Sequence, residues 1–325
     1  MQITFQPVTF DLKRSFAITG RVRYTSDTIH VTITDGTFQG RGEASGVYYL
    51  GETISTMREQ LEDFCAEGFL DLNTRSLQEL LPPGGARNAL DCALWDLKAK
   101  SLGRPIWSLV DMIPRRLPTV LTIGICDLDE IEERARESSS IKNLKIKLNA
   151  DRPVERIEII REVRPDAVIV VDVNQGWSID ELKEYAPTFK ALGVAMIEQP
   201  IKRGDDDSLA GFDSPVPLAA DESCLHSKEF ESVRPYYDIF NIKLDKTGGL
   251  TEALRFADLV KRHGKRLMVG NMGGSSLAMA PSYVVGQHCT YVDIDGPLLI
   301  KRDVPDGLCY EDKDRVGLPS TQLWG

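Results

Sequence analysis

Between residues 118 and 300, short apolar runs rich in β-branched residues alternate with amphipathic stretches. Eight runs have strand character: 119–123, 144–148, 168–173, 194–198, 217–221, 239–244, 266–270 and 291–295. Near-continuous apolar runs of this length are the mark of parallel strands buried on both faces. The middle runs recur every 22 to 26 residues, close to the roughly 25–30 residues of a strand plus its return helix. Seven helical segments fit between the strands, 129–138 and 250–263 among them, and Gly296-Pro297 breaks the pattern after the eighth strand. The pattern predicts an α/β fold, a modified TIM barrel of the (β/α)7β type, over residues 116–300.

The first part of the chain has a different rhythm. Residues 28–34 alternate with period two, Asp35-Gly36 signals a hairpin, and 39–44 continue the sheet. From about 52 to 103 the pattern turns helical; over 86–102, Leu90, Ala93, Leu94 and Leu97 share a face, and Gly103 supplies the stop. Residues 1–115 are therefore expected to form an N-terminal α+β capping domain, with the tail 301–325 packing back on it. A chain of 325 residues accommodates a barrel of ~250 residues plus a smaller domain.

Composition narrows the classes. With 42% hydrophobic and 27% charged residues the chain reads as an ordinary soluble protein. A net charge of −10 and the lack of a basic run argue against nucleic acid and anionic membranes as partners. The start reads as no signal peptide and no apolar stretch is long enough to span a bilayer, so a cytoplasmic location is expected. Cys65, Cys92, Cys126, Cys224, Cys289 and Cys309 form no CxxC pair and read as buried free thiols in a reducing compartment. His30, His226, His263 and His288 stand at no metal-ligand spacing from one another, and none is expected in catalysis.

The chemistry lies at the strand ends. The third, fourth and fifth strands finish on Asp172, Glu198 and Asp221. Three acids converging on a barrel mouth repel one another unless a cation lies among them, and all-oxygen ligation favours a hard ion such as Mg²⁺; the alternative is three separately hydrogen-bonded strand-end acids. On the second strand Lys145 and Lys147 share a face. Inward lysines are costly without an anion or a chemical role, the alternative being a solvated edge strand. Lys243 occupies the equivalent place on the sixth strand, which in a barrel of eight faces the second. Two amines flanking a divalent ion make a site for abstracting the proton α to a carboxylate. One amine takes the proton from one face, the other returns it to the opposite face, and the stereocentre inverts. A base lysine must be pushed down from its ordinary pKa near 10.4; a neighbouring ammonium and the ion are expected to do so. On the eighth strand, opposite Glu198, Asp293 and Asp295 share a face and suit a substrate ammonium, the alternative being that one acid caps backbone and the other pairs with an arginine. The two charged groups of a free amino acid are about 3 Å apart and those of a dipeptide roughly 6–7 Å, so a dipeptide fits better.

These residues resemble the enolase superfamily, within it the muconate-lactonising subgroup, and especially the dipeptide epimerases, whose familiar type is the Ala-Glu epimerase. The likeness runs over most of the chain and is most specific over 84–103 and 144–297. It implies that Lys145-Ile146-Lys147 is the KxK motif, that Asp172, Glu198 and Asp221 hold one Mg²⁺ per subunit, that Lys243 is the opposite lysine, and that Asp293 and Asp295 bind the ammonium. Lysine or histidine bases beside Mg²⁺ are general in that superfamily. The resemblance further implies that the cap sets specificity through 16–23, with Arg21 and Arg23, and 45–50, with Tyr48 and Tyr49. Thr122, Asn174 and Ser275 are expected as further substrate contacts, and a homo-oligomer is expected. Residues 205–207 are read as a helix start or a solvated turn. The implied function is an Mg²⁺-dependent dipeptide epimerase, an isomerase acting on the C-terminal residue, with Lys147 and Lys243 as catalysts and Lys145 tuning Lys147. The rivals are cycloisomerisation, N-acylamino acid racemisation, o-succinylbenzoate synthesis, or metal binding without catalysis.

Overall fold

The computed structural model describes residues 1–68, 71–310 and 315–325. Strands Gln2–Ile18, Arg21–Thr34 and Gln39–Ala44 form an antiparallel sheet. The period-two stretch buries Ile29, Val31 and Ile33 completely, and helix Gly85–Leu102 lies across the sheet. The approach is so close that a Cβ on Gly40 or Gly42 would stand 2.1 Å from the backbone oxygen of Ala93 or Ala89. The register of the first two strands shifts between Asp11 and Phe16. Beyond that bulge, Ile125 N donates to Ala17 O, tying the strand end to the barrel mouth.

The barrel strands are Val120–Ile123, Asn143–Lys147, Val168–Asp172, Val194–Glu198, Leu218–Ala220, Ile239–Ile242, Arg266–Val269 and Tyr291–Val292, each parallel to its neighbour. They form one eight-stranded sheet in chain order. Side chains bridge its seam: Ile294 N donates to Thr119 Oγ1 at 3.2 Å and Thr122 N to Asp295 Oδ2 at 2.7 Å.

Strand alternation then decides which residues reach the mouth. One apolar cluster, Val120, Val170, Met196, Ala219, Ile239 and Met268, fills the barrel interior; Leu144, Ile146, Ile169, Val171, Ile197, Phe240 and Ile242 belong to the larger core that includes the surrounding helices. Adding two to an interior position keeps the same face. Val120 leads to Thr122, Val170 to Asp172, Met196 to Glu198, and Ala219 to Asp221. Ile239 leads to Asn241 and then Lys243, and Tyr291 to Asp293 and Asp295.

Two expectations need correction. The crossover from the fourth strand to the fifth carries only a 3-10 turn, Asp206–Leu209, and that from the fifth to the sixth a 3-10 turn and the four-residue helix Phe230–Val233, so fewer than seven full helices surround the strands. The pattern there, with Pro200, Gly204, Gly211, Pro215 and Pro217, lacks a run long enough for one. Residues 205–207 open the 3-10 turn, in keeping with the expected helix start, and Asp206 is buried, accepting from the Tyr237 hydroxyl at 2.7 Å. Likewise Cys92, Cys224 and Cys289 are buried thiols, whereas Cys309 is exposed.

The tail turns back. Arg41 Nη2 donates to the carbonyls of Gln322 and Leu323, Trp324 Nε1 to Cys92 O, and Gly325 N to Asp96 Oδ1, while Arg315–Val316 pairs with Leu117–Pro118. Residues 311–314 of that tail lie outside the described residues. Among the described residues no helix is long and apolar enough to cross a membrane.

Candidate active site

Asp172, Glu198 and Asp221 are all 0% exposed, and Lys145, Lys147 and Lys243 are buried beside them. Lys145 Nζ lies 2.9 Å from Asp172 Oδ2, 2.8 Å from Glu198 Oε2 and 3.1 Å from Asp293 Oδ2. Lys147 Nζ reaches Asp172 Oδ2 at 2.5 Å and Asn174 Oδ1 at 2.9 Å. Across the mouth, Lys243 Nζ sits 2.5 Å from Asp221 Oδ2. The parallel register, pairing Lys147 with Asp172 and Asp172 with Glu198, sets these side by side.

The electrostatics follow from burial and crowding. Burial pushes the Asp172 and Asp221 carboxyls up, but the lysines prevail: Asp172 is held down to about 2, and Asp221 falls well below the carboxylate range. Glu198 is driven the other way, to about 7, by burial and then by the charge of Asp172. Burial opposes the ammonium charge of Lys145 and Lys243, yet the surrounding carboxylates outweigh it and raise both pKa values. The expected downward push is present, from burial at both lysines and from Lys145 at Lys243, but the carboxylates outweigh it.

The donor set suits a hard divalent cation. Among the described residues no three acidic, thiol or imidazole groups form a ready-made metal cage, and lysine ammonium groups rest on the acids. The acids nonetheless keep unmet demand. Glu198 Oε2 has Lys145 near it as a charge, but no hydrogen bond of proper geometry, and Glu222 Oε2 is buried without a partner. A cluster that holds one of its acids near a pKa of 7 still has negative charge to offer.

The eighth strand supplies the far wall. Asn271 Nδ2 donates to Asp293 Oδ1 at 2.9 Å, and Asp295 accepts from Thr122 N. Burial, and then Asp293, raises Asp295 to about 7. An inner cavity of about 60 Å³ joins these walls, lined among others by Lys145, Lys147, Asn174, Lys243, Asp293 and Asp295. Phe16, Arg23, Tyr48, Tyr49 and Met272 also line it, and an outer cavity of about 430 Å³ continues past Arg21 and Arg23.

Of the sequence candidates, Thr122, Asn174 and Arg23 line the inner cavity. Arg21 lies further out, its guanidinium 4.5 Å above the Tyr48 ring. Arg23 donates to Met272 O at 3.1 Å. Ser275 is not brought to the cavity: it is 0% exposed, caps helix Ser276–Gly286 and binds Glu43 through both its N–H and its hydroxyl. Sequence reasoning missed Glu222, Lys246, Asn241 and Asn271. Lys246 is buried, 2.7 Å from Asp221 Oδ1, and also donates to the carbonyls of Asp221, Cys224 and Asn241. Asn241 Nδ2 holds Glu198 Oε1 at 2.6 Å. Asn241 was legible, since it precedes Lys243 by two on the same strand face; Glu222 and Lys246 lie just past their strand ends, where period two no longer applies.

A parallel barrel with acids on three adjacent strands and lysines facing them from two sides defines an α-proton-transfer class of enzyme. Residues 9–111 match the mandelate racemase/muconate lactonizing enzyme N-terminal domain, and 128–301 the enolase C-terminal domain-like family. The chain belongs to the mandelate racemase/muconate lactonizing group of the enolase superfamily. It is 38% identical to an N-acetyl-D-glutamate racemase from Pseudoalteromonas sp, over 91% of this chain and 95% of that one. It is 36% identical to the L-Ala-D/L-Glu epimerase of Escherichia coli (strain K12), over 92% and 94%. Among solved structures, an enolase family member from Agrobacterium tumefaciens with homology to dipeptide epimerases, with bound sodium and L-Ala-L-Glu, superposes with a TM-score of 0.94 at 38% identity, covering 99% of both chains. A dipeptide epimerase from Methylococcus capsulatus complexed with Mg and L-Arg-D-Lys matches at 0.90 and 32%, covering 98% and 96%.

Proposed function

We propose that this chain is a magnesium-dependent dipeptide epimerase that inverts the α-carbon of the C-terminal residue by moving one proton off one face and another onto the opposite face. The observation that carries the reading is the pair of buried lysines, Lys147 and Lys243, approaching one acidic cluster from opposite sides. Asp172, Glu198 and Asp221 would hold the cation, which when bound supplies fixed positive charge where the substrate carboxylate gains negative charge. Lys145 touches three of the acids, Asp172, Glu198 and Asp293, and would meet that carboxylate. With the cluster's charge taken up, the carboxylates would no longer hold Lys243 high, and its neutral amine would become accessible as base. Asp293 and Asp295 receive the substrate ammonium, flanked by Thr122. Arg23, partly buried at the inner rim, with Arg21 behind it, suits an acidic side chain, in keeping with the glutamate in the relatives' names. Residues 1–115 act as the cap and 116–300 as the catalytic barrel; one magnesium per chain, self-association and a cytoplasmic location belong to the same reading.

A second reading, racemisation of an N-acylated amino acid, is favoured by the raised pKa of Asp295: a protonated acid would donate to an acyl oxygen where an ionised pair would hold an ammonium. Incubation with Mg²⁺ in D₂O separates the two. L-Ala-L-Glu gaining one mass unit while N-acetyl-glutamate does not supports the epimerase; the reverse result replaces it with the racemase.

A further inference from the structure

The two faces of the site are built differently. Lys243 Nζ rests on Asp221 Oδ2, and Asn241, its neighbour on the strand face, turns its amide to Glu198 instead. Lys147 Nζ, by contrast, is held by a neutral acceptor, Asn174 Oδ1, as well as by Asp172. The Asn174 amide donates in turn from Nδ2 to Glu222 Oε1 at 3.2 Å. Glu222 is 1% exposed, lines the inner cavity, and has no part in the reaction described above.

We infer that Asn174 and Glu222 are positioning residues that fix Lys147 and not Lys243, so that the proton carrier on one face of the site is aligned by a neutral acceptor besides the cation ligand Asp172. The inference rests on the proposed role of Lys147. An amide's oxygen and nitrogen are nearly isosteric, and its partners decide which way it points. Glu222 Oε1 accepts whether or not Oε2 carries a proton, so Nδ2 turns to Glu222 and Oδ1 to Lys147. The backbone beneath is pinned too. Asn174 has φ +46°, a left-handed conformation that asparagine tolerates better than most residues. Its N–H donates to Asp172 Oδ1 at 3.1 Å, and Gln175 N to Gln199 O at 2.8 Å. Were Asp172 to hold a cation, Asn174 Oδ1 would remain as the neutral acceptor that keeps the amine in place.

The test uses Asn174→Gly, which keeps the positive φ, Glu222→Leu and Glu222→Gln, with α-proton exchange in D₂O measured separately for L-Ala-L-Glu and L-Ala-D-Glu. Asn174→Gly and Glu222→Leu are expected to slow exchange on the order of 10- to 100-fold for one diastereomer only, the one that Lys147→Ala also abolishes. Glu222→Gln keeps an acceptor oxygen and recovers most of that rate. Equal losses for both diastereomers, or none, overturn the inference. Should the wild-type protein exchange neither, the dipeptide reading has failed by itself. Crystal structures of wild type and Glu222→Leu then decide: Lys147 Nζ leaving Asn174 Oδ1 supports the inference, and an unmoved amine overturns it.

Discussion

Asp293 and Asp295 stand two residues apart on one strand face, and in the proposed function their mutual repulsion would set how they meet the substrate ammonium. The pair cannot carry both charges comfortably in a buried wall, so burial and Asp293 lift Asp295 to about 7. Below that pH Asp295 holds a proton and offers less charge to an ammonium; above it Asp295 is ionised. The KM for L-Ala-L-Glu is therefore expected to fall as pH rises through about 7. Asp293→Asn removes both the repulsion and a charge-assisted bond worth roughly 1.5–3 kcal/mol. It is expected to raise KM about 10- to 100-fold and to flatten the pH dependence, as initial rates from pH 6 to 9 would show. An unchanged KM would remove Asp293 from substrate binding. The lysines obey the same logic with opposite sign, since here the acids raise the pKa of Lys145 and Lys243.

At the level of elements, helix Gly85–Leu102 joins the sheet to the barrel. Arg87 donates to the carbonyls of Thr247 and Gly248, and Asp91 accepts from Thr251 N at 2.9 Å and Thr251 Oγ1 at 2.7 Å. Gly249, at φ +116°, leaves room for this contact; a Cβ there would stand 2.4 Å from Asp91 Cβ. This helix thus seats on the loop that follows Lys243 and Lys246. Burial raises Asp91 to about 7 against the pull of Thr251 and Arg87. The folded state then binds more protons than the unfolded chain between pH about 4 and 7. Stability contributed at this site is expected to fall across that window as pH rises and to level off above 7. Asp91→Asn, which cannot ionise, loses this dependence. The difference in unfolding free energy between the two proteins is expected to shift towards the variant by a few kcal/mol from pH 4 to 8. A difference independent of pH would mean that Asp91 has an ordinary pKa.

Across the whole molecule, what the sequence made legible was whatever obeys a period. Strand alternation and βα spacing located eight barrel strands and the inward direction of Asp172, Glu198, Lys145, Lys147 and Lys243, because a two-residue repeat fixes a side chain's face. The short 3-10 turn between the fourth and fifth strands was legible in the prolines and glycines that break that stretch, and was missed because the βα spacing alone suggested a helix there. Ser275 reads in sequence as one of several small polar residues after a strand, and only packing reveals that Glu43, 232 residues away, claims its hydroxyl. Glu222 and Asn174 each look ordinary alone; their bond spans 48 residues of chain and exists because the third and fifth strands end at the same level.

The central claim, one buried lysine for each face of the α-carbon, is tested most directly by α-proton exchange in D₂O with Lys147→Ala and Lys243→Ala, each given L-Ala-L-Glu and L-Ala-D-Glu with Mg²⁺. Each variant is expected to lose exchange from one diastereomer by about 10²–10⁴-fold while retaining it from the other, and the two losses should be complementary. Full exchange from both diastereomers in both variants would contradict the account.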